Sequence, residues 1–316
     1  MSERKSGVKP AMRTGRDEPA RRIPAHVEAA ALLPGLYLVA TPIGTARDIT
    51  LRALDVLNSA ELLAAEDTRV MRHLMDIHGI PLRGRRIIAY HDHNADRQRP
   101  VIMAALRQGR SLAYASDAGT PLVADPGFRL ARDAAMQGSR VHAVPGPSAA
   151  LAALSLSGLP SDRFLFAGFP PTGKSARASW LRQWTMIDAT VILFESPRRV
   201  NHMLEELFDI EPNRIIVVTR ELTKKFEEVI RGTAAELLSD PRLNGIKGEV
   251  VVVLDRPAPV MADAGTVQAA LEEKLRTMTV KDAARDVAAE LGLSRRDVYQ
   301  AAIDLTAQKG VDDRES

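Results

Sequence analysis

The chain has 316 residues, 45% of them hydrophobic and 26% charged, and carries a formal net charge of +3. That is enough chain for a buried core, two domains and a further module. It contains no cysteine, which excludes disulfides, thiolate metal sites and a cysteine nucleophile, and suits a cytoplasmic protein. No apolar run approaches the roughly 20 residues that span a bilayer, and the mildly basic balance is compatible with an RNA partner.

Residues 1–33 are rich in Arg, Pro, Ala and Lys without a sustained apolar period, and read as a disordered basic arm. Residues 36–40 form a first strand ending at Thr41-Pro42-Ile43-Gly44. Asp48 is expected to cap a helix whose apolar face carries Ile49, Leu51, Leu54 and Leu57. A second strand, 61–65, closes at Glu66-Asp67-Thr68-Arg69, and a helix over 70–78 stops at Gly79. A third strand, 86–90, leads to His91-Asp92-His93-Asn94, and the next helix covers 97–108.

A fourth strand, 111–115, breaks into Ser116-Asp117-Ala118-Gly119-Thr120-Pro121 and continues to Gly127 before a helix over 128–137. Such a loop is either an ordinary Asp/Pro turn or a ligand loop, in which Gly119 lets a ligand approach the backbone. A fifth strand, 141–144, ends in Pro145-Gly146-Pro147-Ser148-Ala149, and a helix follows to residue 157. Regular alternation of strand and helix predicts a parallel sheet with helices on both faces. The five polar or Gly/Pro loops then converge at one sheet edge, where open α/β sheets bind ligands.

Beyond a connector at 158–162, the second half carries a strand from Phe164 with a stop at Pro170-Pro171 and strands at 191–194 and 215–218, with extended segments at 226–232 and 248–254. It reads as a mixed α+β domain with adjacent strands unseparated by helices. Gly173-Lys174-Ser175 lacks a phosphate cradle before it, so a Walker motif is rejected. The G-x-G-x-x-G fingerprint is absent after the first strand, and His91 and His93 read as a solvated loop rather than metal ligands. From residue 266 the pattern is helical, over 267–275, 280–291 and 294–306, with Gly292 at a turn. That pattern fits a helix-turn-helix with Arg295 and Arg296 at the start of its last helix, or a plain helical hairpin. The expected domains are 34–157, 162–256 and 262–316.

In their order and spacing, the strand-tip segments 36–44, 65–69, 90–94, 116–127 and 145–149, with Glu195-Ser196-Pro197-Arg198-Arg199, resemble the tetrapyrrole methylase-like superfamily. Within it they are most similar to the ribosomal RNA small-subunit methyltransferase (RsmI) branch, which acts on a cytidine 2′-hydroxyl. The resemblance covers residues 35–254, and the helical tail is similar to that branch's C-terminal extension.

The resemblance implies a two-domain α/β class III methyltransferase fold and an S-adenosyl-L-methionine site in the cleft between the domains. It also implies a homodimer and ribosomal RNA or the small ribosomal subunit as partner. Carried onto this chain, Ile43, Gly44, Asp117, Ala118, Gly119, Thr120, Ser148 and Ala149 would line the cofactor, joined by Phe166 and Gly168. The glycine-rich strand tip of tetrapyrrole-modifying members is Ser116-Asp117-Ala118-Gly119 here, which argues against a porphyrin.

A ribose hydroxyl is a weak acid, so a general base is expected. Asp67 and Glu66 are the first candidates, with His91 and Glu195 next, although Asp67 reads more readily as the cap of the helix ahead of Val70 than as a base. Arg69, Arg198, Arg199, Arg220, Lys224 and Lys225 sit at loop ends and suit phosphates. A methylase of the same fold acting on a small molecule, and a DNA-binding regulator, are the competing readings.

Overall fold

A computed structural model of the chain describes residues 27–125, 127–257, 264–291 and 293–315. Residues 1–26 of the expected arm, part of the linker after Arg256, Pro126 and the turn residue Gly292 lie outside that range. The chain divides into two compact units. The first runs to Leu156 and includes Thr219–Val229 and Gly248–Val251; the second comprises Ser157–Val218, Ile230–Lys247 and the chain from Val252 on.

In the first unit, β1 (Gly35–Val39), β2 (Leu62–Ala65), β3 (Ile87–Ala89), β4 (Ser111–Ala115) and β5 (Val141–Val144) form one sheet in the order β3-β2-β4-β1-β5. Every pairing in it is parallel. The pleat sends alternate residues to opposite faces, and both faces are covered. Tyr37, Val39, Leu63, Ala65, Ala113 and Ala115 meet Leu54, Leu57, Met71 and Met75 of α1 (Leu51–Ser59) and α2 (Thr68–Ile77). Leu36, Ala64, Leu112 and Tyr114 meet Ile102, Leu106 and Leu130 of α3 (Ala95–Arg107) and α4 (Phe128–Met136). Helix α5 (Ala149–Ser157) follows β5.

Two local expectations change. The cap of α1 is Thr50, whose hydroxyl accepts the Ala53 N–H, whereas Asp48 ends a short 3-10 turn. A hydroxyl at the N-cap reaches the third helical amide of a helix that starts two residues later than expected. Residues 27–33 are docked on this unit. Val27 and Leu32 join its core, the Glu28 N–H donates to Asp55, and Tyr37 donates to the Leu33 carbonyl.

The second sheet has the order β6-β7-β10-β8-β9, from β6 (Phe164–Gly168), β7 (Thr190–Glu195), β8 (Ile216–Arg220), β9 (Glu228–Gly232) and β10 (Val250–Leu254). Its early strands are not consecutive, contrary to expectation: α6 (Lys174–Thr185) separates β6 from β7, and α7 (Val200–Ile210) separates β7 from β8. Val200, Met203, Leu204 and Leu207 recur at helical spacing and are buried, which makes α7 an amphipathic cover. A third helix, α8 (Ala234–Ser239), opens with a reciprocal Thr233–Glu236 capping box. After the linker, α9 (Ala264–Lys274), α10 (Val280–Leu291) and α11 (Arg295–Glu315) bury Leu271, Val287, Val298, Ala302 and Leu305 against one another.

Candidate functional site

Parallel pairing places the ends of β1, β4 and β5 side by side. Thr41 and Gly119 exchange two backbone hydrogen bonds of 3.0 Å, joining the loops that leave β1 and β4. The Thr41 hydroxyl donates to the Ser116 carbonyl, and Thr120 Oγ1 donates to the Pro147 carbonyl at 2.9 Å, adding the β5 loop. Gly119 has φ +80°, a conformation suited to glycine. Ile43, Gly119, Thr120, Ser148 and Ala149 therefore line one edge, with Ala118 exposed beside them.

The same edge holds a set of carboxylates. The Asp117 carboxylate accepts the Asp67 backbone N–H at 2.8 Å, while the Asp117 N–H hydrogen-bonds to the Glu66 carboxylate. Glu66 is half-buried, and burial raises its pKa, reinforced by the negative charges of Asp117, Asp125 and Asp92. Asp67 differs sharply. Its carboxylate caps α2 through the Arg69 N–H and grips the Arg69 guanidinium at 2.6 and 3.1 Å, which holds its pKa at about 2. A carboxylate so stabilised is a poor proton acceptor at neutral pH. The geometry thus separates two adjacent acids: Asp67 caps, and Glu66 keeps the raised basicity.

Behind Glu66, the loop from Ser116 to Gly127 is pinned by Asp125, which accepts from the Tyr114 hydroxyl at 2.6 Å and from the Gly127 N–H at 2.8 Å. Leu122 and Ala124 in this loop take positive φ of 73° and 57°. Such strain persists only where the surroundings enforce it. The Asp-Pro-Gly triplet at 125–127 was its sequence signal. At Gly127, an added Cβ would lie 2.6 Å from a ring carbon of fully buried Tyr114 and 2.7 Å from Leu122. Gly127→Ala is expected to cost about 1–3 kcal/mol in chemical denaturation, the usual range for overpacking. A loss under ~0.5 kcal/mol would show that this corner yields.

Gly44 acquires a packing role. Its Cβ would fall 2.5 Å from Lys224 Cγ and 2.8 Å from the Leu222 carbonyl oxygen, so the segment 222–224 fills the space a side chain would need. Thr45 bonds to Thr223 through both its N–H and its hydroxyl. His91 lies at the end of β3, its backbone N–H and ring engaged by Asn94.

In the second unit, Ala167 is the extra residue at a register shift between Phe166 and Gly168, where β6 pairs with β7. Phe194 on β7 stacks edgewise on Phe166 and on the exposed Phe169. Glu195 at the end of β7 is almost fully buried, accepting from the Ser196 N–H and from Arg199 at 2.6 Å. This arrangement makes Glu195 an anchor for its own loop.

The basic residues divide likewise. Arg69, Arg199, Arg220 and Lys224 are paired with Asp67, Glu195, Glu228 and Glu221/Glu249. Arg198, Lys225, Arg295 and Arg296 are exposed, and the Lys225 ammonium lies over the Phe226 ring.

Residues 35–238 match the family Tetrapyrrole (Corrin/Porphyrin) Methylases, and 261–306 match the RsmI C-terminal HTH domain. The "Ribosomal RNA small subunit methyltransferase I" of Mesorhizobium japonicum is 44% identical over 291 residues, covering 91% of this chain and 98% of that protein. The protein of the same name from Erythrobacter litoralis is 43% identical, with 87% and 96% covered. The chain belongs to this methylase family.

Among solved structures, the uroporphyrin-III-C-methyltransferase of Thermus thermophilus shares the fold, with a TM-score of 0.51, 22% identity, and coverage of 71% of this chain and 94% of that one. As a member of the tetrapyrrole methylase family, the chain is a methyltransferase whose methyl donor is S-adenosyl-L-methionine. Its helical tail is the family's helix-turn-helix module, and no helix among the described residues is long and apolar enough to cross a membrane.

Proposed function

We propose that this methyltransferase transfers the methyl group of S-adenosyl-L-methionine to the ribose 2′-oxygen of a cytidine in the decoding region of small-subunit ribosomal RNA. The relatives' names support an RNA substrate. The observation that carries oxygen as the acceptor is Glu66, half-buried among other acids with its pKa raised. A hydroxyl must lose a proton as it attacks, and a carboxylate of elevated basicity at the strand edge can take it.

Ile43, Gly44, Asp117, Ala118, Gly119, Thr120, Ser148 and Ala149 suit the donor: a buried apolar side chain, a left-handed glycine and small residues leave backbone groups accessible. When bound, the sulfonium supplies an electrophilic methyl group. The half-buried Asp117 carboxylate favours a positive charge beside it. The joined β1, β4 and β5 loops hold these groups in fixed relation, which is how alignment lowers a transfer barrier. The exposed Arg198, Lys225, Arg295 and Arg296 are assigned to RNA phosphates. The assembly is expected to be a homodimer, to be measured by light scattering.

The test is transfer of labelled methyl to small ribosomal subunits lacking the native modification, followed by nucleoside analysis. The expected product is 2′-O-methylcytidine. Label in a base would overturn the ribose oxygen as acceptor, and no label in RNA despite cofactor binding would return the small-molecule reading.

A further inference from the structure

The edge of the first sheet opposite β5 is β3, which pairs on one side alone, with β2. Its three residues are all half-exposed, and they border a cavity of about 650 Å³ lined also by Arg83, Arg85, Arg86, Arg110, Glu61 and Gln98. Glu61, the carboxylate among these residues, is already committed: it pairs with Arg110 at 3.1 Å and accepts the Ser111 N–H.

Arg85 is held in place by the carbonyls of Leu57, Ala60, Pro81 and Leu82, at 2.7 to 3.0 Å. Those bonds fix its guanidinium without cancelling its charge. Arg83 lies close enough for the two like charges to repel, and it takes a left-handed backbone, φ 52°, at the tip of the turn. Arg83 and Arg86 are exposed. The groove therefore carries three arginine charges that no carboxylate among its described lining residues balances.

We infer that this groove along β3 binds the phosphodiester backbone of the RNA substrate, with Arg83 and Arg86 as direct phosphate ligands and Arg85 as a fixed background charge. The inference rests on the proposed RNA substrate and extends it to a second contact region. Concentrated positive charge at an unpaired strand edge fits a polyanion. Three strand residues span about 10 Å. An RNA strand in the groove thus leads from Arg86 to His91, at the sheet edge that carries Glu66.

The test compares wild-type protein with Arg83→Ala/Arg86→Ala by filter binding to unmethylated small ribosomal subunits over a salt series. Methyl transfer is read in the same samples. Loss of two phosphate contacts is expected to weaken binding about 10-fold or more and to reduce the slope of log K against log salt by about 1.4. The KM for S-adenosyl-L-methionine should stay unchanged, and Arg83→Lys/Arg86→Lys should restore most of the affinity. Equal affinity and slope for the alanine variant, or no RNA binding by wild type, overturns the groove; docking of a protein strand on β3 would survive the first result. Arginine-dependent binding without methyl label in either protein supports the groove and overturns the functional reading instead.

Discussion

Glu66→Gln is expected to lower kcat for methyl transfer by about 10²–10⁴-fold, the usual worth of a general base. Cofactor affinity should change little, because glutamine keeps the side chain's size and its acceptor for the Asp117 N–H. The pH dependence carries the sharper signature. Burial and three neighbouring acids raise the Glu66 pKa, and below it the carboxyl is protonated and cannot accept a proton.

Wild-type kcat should therefore fall as pH drops through that raised value, and the glutamine variant should lose this limb. Asp67→Asn is the control: its carboxylate, near pKa 2 and gripped by Arg69, is assigned to capping, so most of kcat should survive. If Asp67→Asn abolishes transfer while Glu66→Gln does not, the two roles are reversed.

Glu206→Ala is expected to destabilise the protein by about 3–5 kcal/mol, measured by chemical denaturation. Its carboxylate meets Arg177 through two hydrogen bonds of 2.8 Å, and the two side chains are only 7% and 5% exposed. Truncating Glu206 leaves a buried guanidinium whose remaining bond is to the Thr172 carbonyl at 3.2 Å. Glu195 also acts on Arg177 by its charge, so the loss should reach the Glu195–Arg199 loop. The paired change Arg177→Met/Glu206→Leu should recover most of the stability, because removing both charges removes the desolvation penalty. A single-variant cost below ~1 kcal/mol would mean that water reaches the pair.

Much of the first sheet was legible because its strands are short apolar runs ended by Gly, Pro or acidic loops, and the inner strands β1, β2 and β4 lie buried between helices. The fourth and fifth strands fall on the residues expected for them. The second half was read less completely. Apolar spacing at 200, 203, 204 and 207 marks α7, but β-branched runs on either side dominated the pattern. Helix α6 carries polar residues around much of its circumference, and its buried members include Arg177, a residue that period analysis counts as solvent-facing. Asp48 and Thr50 are both good caps, and only the backbone path selects between them.

By itself, the sequence determined the alternation of strand and helix, the convergence of five loops on one sheet edge, and the motif order that marks the family. These follow from local periodicity and turn chemistry, which neighbouring residues carry. The tertiary structure decided which of two adjacent acids keeps a raised pKa, which cations are already paired, and why Gly44 and Gly127 leave no room for a side chain. The raised Glu66 pKa and the crowding of Gly44 depend on groups far apart in the chain, Glu66 beside Asp117 and Asp125 and Gly44 against Leu222. Their electrostatics and sterics exist only once the strand order brings them within contact.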